Sequence, residues 1–202
     1  GTADLTLNVT GTVTQLAGDV ITANSLQLLG TGAINLDDPN NDVAILAASH
    51  SGTISYRDLN DLVIGTVTDT AMAPNTTTSG ITNTSDVTLT SGGKLTVSVA
   101  IAATGDASQI ALLAMGDVLV SANITASQPG NMVDSSTATA GEQITLRSLR
   151  GSIAIANNVV ISTDENLAPD TSSNSTSDKI TIEAVVTSSQ VAAVAATGQN
   201  QV

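Results

Sequence analysis

Residues 86 to 98 read Asp86-Val-Thr-Leu-Thr-Ser-Gly-Gly-Lys-Leu-Thr-Val-Ser98, an alternating apolar strand, a glycine corner and a second alternating strand. The same phrase returns at residues 109 to 121 and at residues 143 to 156. Period-2 alternation lets each strand bury one face, and repetition lets the buried faces stack. The sequence therefore predicts an all-β coil of stacked parallel strands, a β-solenoid.

Composition supports a thin and regular core. Of the 202 residues 41% are hydrophobic, Phe, Trp and Cys are absent, and Tyr56 is the only aromatic. A thick globular interior would normally use aromatic side chains, whereas a solenoid packs small aliphatic residues on like residues above and below. We therefore expect one solenoid domain over residues 1–202, either a segment or a repeating subunit of a larger assembly.

Charge excludes several kinds of partner. Eighteen acidic residues against five basic ones give a formal net charge of -13, a field that repels phosphate backbones and argues against nucleic-acid binding. No apolar stretch approaches the ~18 uninterrupted residues of a membrane-spanning helix. The absence of cysteine excludes disulfides and thiolate metal sites.

Aligning the repeated phrases predicts which side chains point inward. The first strands contribute the pairs Leu5/Leu7, Leu26/Leu28, Val87/Leu89, Ile110/Leu112, Ile144/Leu146 and Ile180/Ile182. The second strands contribute Val13, Ile34/Leu36, Leu95/Val97, Val118/Val120, Ile153/Ile155 and Val191/Val194. A third short strand, as at residues 19–22, 122–125 and 158–162, predicts a roughly triangular coil of about seven to eight rungs.

Corner insertions explain why the rungs differ in length. Leu5 and Leu26 are 21 residues apart, but Ile144 and Ile180 are 36 apart. Residues 68–85, 126–142 and 163–179 are polar, rich in Ser, Thr and Asn, and typical of loops. Each has one proline (Pro74, Pro129 and Pro169). We expect all three loops to make lateral or target contacts, and the last two to leave the same corner.

Both ends of the coil are candidate assembly sites. The chain opens on the apolar side chains Leu5, Leu7 and Val9 and closes on an apolar run that contains Val191 and Val194. Uncovered strand edges pair with other strands. We expect the ends to meet another copy, head to tail, or adjoining segments of a longer chain.

Residues 30 to 67 carry a more specific resemblance. The stretches Asn41-Asp-Val, Gly52-Thr-Ile-Ser-Tyr56 and Asn60-Asp-Leu-Val-Ile-Gly65 resemble rungs of filamentous-haemagglutinin-like and autotransporter-type passenger proteins, which are secreted bacterial β-helices. The resemblance implies a right-handed parallel β-helix exposed on, or released from, a bacterial surface. Its motif is architectural, so it implies no catalytic residues.

Acidic residues offer candidates for chemistry, each with a simpler alternative. The pairs Asp37/Asp38, Asp58/Asp61 and Asp164/Glu165 have the residue types that β-helical polysaccharide-cleaving enzymes use, but only Tyr56 could brace a sugar ring. Asp37, Asp38 and Asp42 are a candidate calcium site through carboxylate oxygens. Ordinary turn chemistry, in which Asp and Asn bond nearby amides, is the favoured interpretation of all of them.

Two further features have simple interpretations. His50 lies between Ser49 and Ser51, but no Gly-x-Ser-x-Gly elbow accompanies it, so we expect a loop histidine without chemistry. The five Asn-x-Ser/Thr sequons are expected chance matches in a chain so rich in these residues; they begin at Asn8, Asn75, Asn83, Asn123 and Asn174.

Together these features predict a non-enzymatic extracellular structural protein without a cofactor. It would be a β-solenoid segment of a bacterial surface adhesin or of a head-to-tail filament, with cell-surface or host glycans or proteins as targets. The alternatives are a β-helical polysaccharide lyase or hydrolase and a glycan-binding module, both of which the lack of aromatic residues disfavours.

Overall fold

The computed structural model describes residues 3–70, 75–105, 107–126, 142–163, 179–185 and the backbone of residues 195–196. These residues form strands and turns without a helix, which confirms the all-β prediction. It follows that the described part of the chain has no helix with the length and hydrophobicity needed to cross a membrane.

Twenty-one strands lie in the described residues. In chain order they are β1 (Asp4–Val9), β2 (Val13–Thr14), β3 (Thr22–Thr31), β4 (Ile34–Leu36), β5 (Asp42–Ser51), β6 (Ile54–Asp58), β7 (Leu62–Ile64), β8 (Thr66–Asp69), β9 (Thr76–Ser79), β10 (Ile81–Asn83), β11 (Val87–Ser91), β12 (Leu95–Val97), β13 (Ile101–Ala103), β14 (Gln109–Ala114), β15 (Val118–Val120), β16 (Ile124–Ala126), β17 (Gln143–Ser148), β18 (Ile153–Ile155), β19 (Ile161–Ser162), β20 (Lys179–Ala184) and β21 (Ala195–Ala196).

Nearly all strand pairing is parallel. Twelve strands form one sheet and seven form another, in the order β2-β4-β6-β11-β14-β17-β20, while β8 and β9 form an antiparallel pair of their own. The chain moves repeatedly from the 12-stranded sheet to the seven-stranded sheet and back. We call one such circuit a pass. The described residues contain seven passes, and β21 begins an eighth.

Inward side chains form continuous columns across the passes. The predicted column Leu89, Leu112, Leu146 and Ile182 is confirmed by the strand register, which extends it to Tyr56 and Leu36. The register also confirms the alignment of Leu95/Val97 with Val118/Val120 and Ile153/Ile155. Fully buried aliphatic residues of both sheets join into one core cluster, so the described passes share a single interior.

The predicted alignment is wrong for the first two passes. Leu5/Leu7 and Leu26/Leu28 lie in the 12-stranded sheet, whereas Val87/Leu89 lie in the seven-stranded sheet and pair with Ile54/Tyr56. The residues that pair with Ile54/Tyr56 from the preceding pass are Ile34/Leu36, which the alignment had placed among the second strands. Alternation shows which face of a strand is buried but not to which sheet the strand belongs. Glycines do not distinguish the sheets either, because they occur at the corners that lead from each sheet to the other.

The number of strands in a pass changes along the chain. In passes 2 and 3 the 12-stranded sheet receives one ten-residue strand, β3 and then β5. From pass 4 onward it receives two short strands, because β5 pairs with both β7 and β10. Three strands in a pass therefore occur only from pass 4 onward, and the third strand expected at residues 19–22 is wrong, since only Thr22 lies in a strand, where it opens β3.

An antiparallel hairpin replaces part of the first predicted loop. Within residues 68–85 the structure places the end of β8, all of β9 and all of β10, so the loop prediction is wrong for nine of the fourteen described residues of this stretch. The hairpin β8–β9 leaves the 12-stranded sheet between β7 and β10 and lies against β1, β3 and β5. Pro74 lies outside the described residues.

The two later insertions leave the same corner, as predicted. Residues 127–142 connect β16 to β17, and residues 163–178 connect β19 to β20. Since β16 pairs with β19 and β17 pairs with β20, the two insertions begin and end at equivalent places in successive passes. Pro129 and Pro169 lie outside the described residues.

In the early passes the same corner requires glycine. Gly32 has a φ of 102°, which side chains rarely adopt, and a Cβ atom at Gly52 would collide with the carbonyl oxygen of Gly32. Close stacking of these two corners brings β3 and β5 into register over their whole length.

Candidate functional site

The first strand presents an edge that lacks a partner on one side within the described residues. Among the described strands, β1 pairs only with β3, and β2 pairs only with β4. Leu5, Leu7 and Val9 point into the interior and are half-buried, because they cover the core from one side only. Their backbone edge and apolar side chains together form a surface that another strand could extend.

Two apolar side chains near this edge are exposed. Leu16 and Val20 lie in the corner that connects β2 to β3, with relative exposures of 72% and 46%. The backbone of this corner is held by hydrogen bonds from the Gly18 amide to Asp38 and from the Ile21 amide to Asn41. The corner is thus fixed while its apolar side chains face outward.

The last described strand of the seven-stranded sheet has a similar edge. β20 pairs with β17 and with no other described strand. Ile182 continues the column of Leu146, but its exposure is 40% whereas that of Leu146 is 0%, and Ile180 is 42% exposed. Val191 and Val194, the assembly residues expected here, lie outside the described residues.

Several corner carboxylates bind the backbone of a neighbouring pass. Asp61 accepts a hydrogen bond from the Lys94 amide at 2.7 Å, and Asp117 accepts one from the Ser152 amide at 2.7 Å. The amide and hydroxyl of Ser152 lower the pKa of Asp117. These contacts are not the local turn chemistry favoured from the sequence, because each carboxylate accepts from an amide of the next pass and so bridges two passes.

The three candidate calcium ligands have separate partners. Asp37 accepts a hydrogen bond from Ser55, and Asp42 accepts a long one, at 3.4 Å, from the side-chain amide of Asn60. Asp38 accepts hydrogen bonds from the Asn40 and Gly18 amides, which lower its pKa. No group of three or more His, Cys, Asp or Glu suited to a metal occurs within the described residues. Calcium binding stays a prediction without support from this geometry.

The pair Asp58/Asp61 does not form a cleft. Asp58 is 1% exposed and accepts hydrogen bonds from the Tyr56 hydroxyl at 2.8 Å, the Val43 amide at 2.9 Å and the Asn60 amide at 2.9 Å. Burial raises the pKa of Asp58 and that of Tyr56. Tyr56 is fully buried and cannot brace a sugar. The pair Asp164/Glu165 lies outside the described residues.

His50 lies on a strand and not in a loop, which corrects the sequence interpretation. It is 5% exposed, and its Nε2 atom is 2.7 Å from the Gly32 carbonyl oxygen. Asn83, the first residue of a sequon, is fully buried and pairs with His50 across adjacent strands. Burial excludes Asn83 as an acceptor for glycosylation in the folded protein.

Sequence reasoning missed the hairpin and the polar contact beneath it. Gln27 is fully buried on the outer side of β3, where its side-chain amide donates to the Thr78 hydroxyl at 2.7 Å and to the Thr76 carbonyl oxygen. Val67 of β8 is 2% exposed. Alternation at Thr66-Val67-Thr68, bracketed by Gly65 and Gly80, was the signal available in the sequence.

Comparison with known proteins adds no relative: no family model, no curated protein and no solved structure matches this chain.

Proposed function

We propose that this chain is a segment of a right-handed parallel β-solenoid in a non-enzymatic bacterial surface adhesin, roughly triangular where its passes contain three strands. The passes would be successive turns of the coil. The parallel, in-register pairing of seven passes around one aliphatic interior supports the coil. The handedness and the extracellular location rest on the resemblance of residues 30 to 67 to secreted bacterial β-helices.

The observation that carries the proposal is the exposure at the two ends of the stack. Half-buried Leu5 and Leu7 lie at one end, and Ile180 and Ile182, both at least 40% exposed, lie at the other. A strand edge with an exposed apolar face is an incomplete interface, because a further strand would satisfy its backbone and cover its side chains. Structural continuity through the ends is therefore the role that fits this geometry.

The shapes of the two ends favour neighbouring segments over identical copies. Pass 1 meets the long unbroken strand β3, whereas pass 7 contains the short strands β18 and β19 in place of such a strand. A copy docked head to tail would have to match a two-strand pass to a three-strand pass. Adjoining solenoid segments with matching passes complete both ends better, so the adhesin segment is preferred and the filament is the second candidate.

Targets would be met by the two long segments that connect strands of the later passes. The insertions at residues 127–142 and 163–178 leave one corner of successive passes, so in the proposed adhesin they would present neighbouring contacts to a host glycan or protein. The enzymatic alternative gains nothing from the buried carboxylate of Asp58.

Electron microscopy with sedimentation tests the end surface. Leu7→Lys places a charge in the open interior of β1, and Asn8→Lys is its control because Asn8 is exposed on the same strand. We expect wild-type rods roughly 35 Å long that pair end to end at high concentration, a variant L7K that stays single, and N8K that behaves as wild type. Long unbranched threads would establish the filament instead. Wild-type rods that stay single at every concentration would refute the end-docking proposal.

A further inference from the structure

Two buried polar atoms at the junction of passes 3 and 4 have no hydrogen-bond partner within the described part of the chain. They are Nδ1 of His50 and Oδ1 of Asn83. The two residues are direct partners in the parallel pairing of β5 with β10. Register partners in a parallel sheet have their side chains on the same face about 4.8 Å apart, so the two side chains are neighbours in the interior.

The hydrogen bond that His50 makes shows which ring nitrogen carries a proton. Its Nε2 atom lies 2.7 Å from the Gly32 carbonyl oxygen, which can only accept, so Nε2 carries the proton. In the neutral ring Nδ1 is then a hydrogen-bond acceptor.

The orientation of the Asn83 amide is fixed in the same way. Its Nδ2 atom donates to the carbonyl oxygens of Gly52, Ser85 and Asp86 at 2.8 to 3.1 Å. Exchanging the amide nitrogen and oxygen would set an acceptor against three acceptors, so Oδ1 faces away from them. Asn83 therefore presents a second bare acceptor beside His50.

Neither side chain can satisfy the other, because both atoms are acceptors. Leaving both unsatisfied in a dry interior would cost the desolvation free energy of each group without a compensating hydrogen bond. A cation would have only two neutral ligands among these side chains, too few to replace its hydration shell. A water molecule has two protons and can donate one to each acceptor.

We propose that one buried water molecule bridges Nδ1 of His50 and Oδ1 of Asn83. The adjacent inward positions carry small residues: Gly30 pairs with His50, Ala103 pairs with Asn83, and Ala48 precedes His50 on the same face of β5. The bridge ties the last ten-residue strand, β5, to β10, one of the two short strands that succeed it. It thereby fixes the register of β5 and β10, at the point where a pass changes from one long strand to two short strands in the 12-stranded sheet. This role is independent of whether the ends associate.

Nuclear magnetic resonance of the whole chain tests the bridge directly, since His50 is the only histidine and its ring signals need no assignment by mutation. We expect the ring proton on Nε2 and a cross-peak between the ring and a long-lived water. A ring protonated on Nδ1, a ring without a water cross-peak, or a signal that requires added Ca²⁺ or Zn²⁺ would each overturn the proposal.

A matched pair of variants locates the water. Ala103→Val adds bulk beside Asn83, and Ala126→Val adds the same bulk one pass farther along the same column. We expect A103V to lose the water cross-peak completely and A126V to retain it. A cross-peak that persists in folded A103V, or that disappears equally in both variants, would contradict the assigned position. Should A103V fail to fold, the wild-type cross-peak alone decides.

Discussion

Passes 1 to 3 and passes 4 to 7 share one interior but differ in their outer layer. In the seven-stranded sheet the same column runs through both regions, from Leu36 to Ile182. In the 12-stranded sheet the early passes use long strands whose outer face is covered by the hairpin β8–β9, while the later passes use short strands with a corner between them. The inward columns therefore continue through both regions, and the two regions differ in the length of their strands and in what covers the outer face.

The hairpin explains why long strands occur only in the early passes. A ten-residue strand presents a long outer face, and Gln27 and Ala47 on that face are buried beneath the hairpin. Later passes have no such cover among the described residues and bend around an additional corner, as at Ser98-Val-Ala100. We therefore expect a substitution in the interior to lower the stability of both regions. A substitution in the hairpin should lower the stability of passes 1 to 3 only.

The largest expected effect comes from a charge in the shared column. Leu36→Asp in pass 2 and Leu146→Asp in pass 6 each bury an unpaired carboxylate, and each should lower the free energy of unfolding by several kcal/mol. Arg147→Asp, on the exposed side of the same strand, should change it by less than about 1 kcal/mol. Thermal and denaturant melting measure all three. If L146D melts like the wild type, the inward register is wrong.

The next effect separates the two regions. Val67 is 2% exposed between the hairpin and the sheet, so Val67→Asp should detach the hairpin at a cost of about 2–3 kcal/mol. Hydrogen exchange should then quicken in β1, β3 and β5 and remain unchanged from β14 to β18. Thr77→Asp is the control, because Thr77 is exposed on the same hairpin. Equal loss of protection in both regions would refute a local role for the hairpin.

A smaller effect is expected where the regions meet. Asp58→Asn replaces one carboxylate oxygen by an NH₂ group that faces a donor, so it should cost about 2 kcal/mol. Asp61→Asn should cost less than about 0.5 kcal/mol, because its single acceptor contact with the Lys94 amide can be kept. Chemical denaturation compares the two. If the two variants lowered the free energy of unfolding equally, the buried hydrogen bonds assigned to Asp58 would be contradicted.

The smallest expected effect is the dependence of stability on pH, which should be the same in both regions. Asp38 and Asp117 both have lowered pKa values because they accept amide hydrogen bonds. Their stabilising contribution is complete above the unfolded value of about 3.9 and is lost as the pH falls through the lower folded values. The raised pKa of Asp58 acts in the opposite sense. We expect both regions to lose stability together below about pH 4, and Asp117→Asn to weaken that dependence. Melting temperatures that rise on acidification would contradict this balance.

Sequence reasoning recovered the features that depend on inward alternation. The column through Leu89, Leu112 and Leu146 follows from repetition alone, because identical phrases must pack in equivalent positions. It could not assign β1 and β3 to their sheet, since alternation is the same in both sheets. The hairpin was missed because its exposed face consists of Thr and Ser, which are equally common in loops. In the structure their hydroxyls form hydrogen bonds across the two strands of the hairpin.

Candidate site residues were harder to interpret from the sequence. Their roles depend on contacts between passes that local spacing does not reveal: Asp58, His50 and Asn83 are buried by neighbouring passes. Leu5, Leu7 and Val9 were expected at an edge because they form the first strand, and they are half-buried there, while their role in assembly stays a prediction.

The most direct test of the stacked coil is the distance between equivalent residues in different passes. Asn35, Thr145 and Thr181 belong to one outward column of the seven-stranded sheet, and the chain has no cysteine, so pairs of cysteines can be spin-labelled specifically. Electron paramagnetic resonance should give backbone separations of about 19 Å for positions 35 and 145 and about 24 Å for positions 35 and 181, a rise of one strand spacing per pass. Equal distances, or a shorter distance for the second pair, would contradict a continuous stack through both regions.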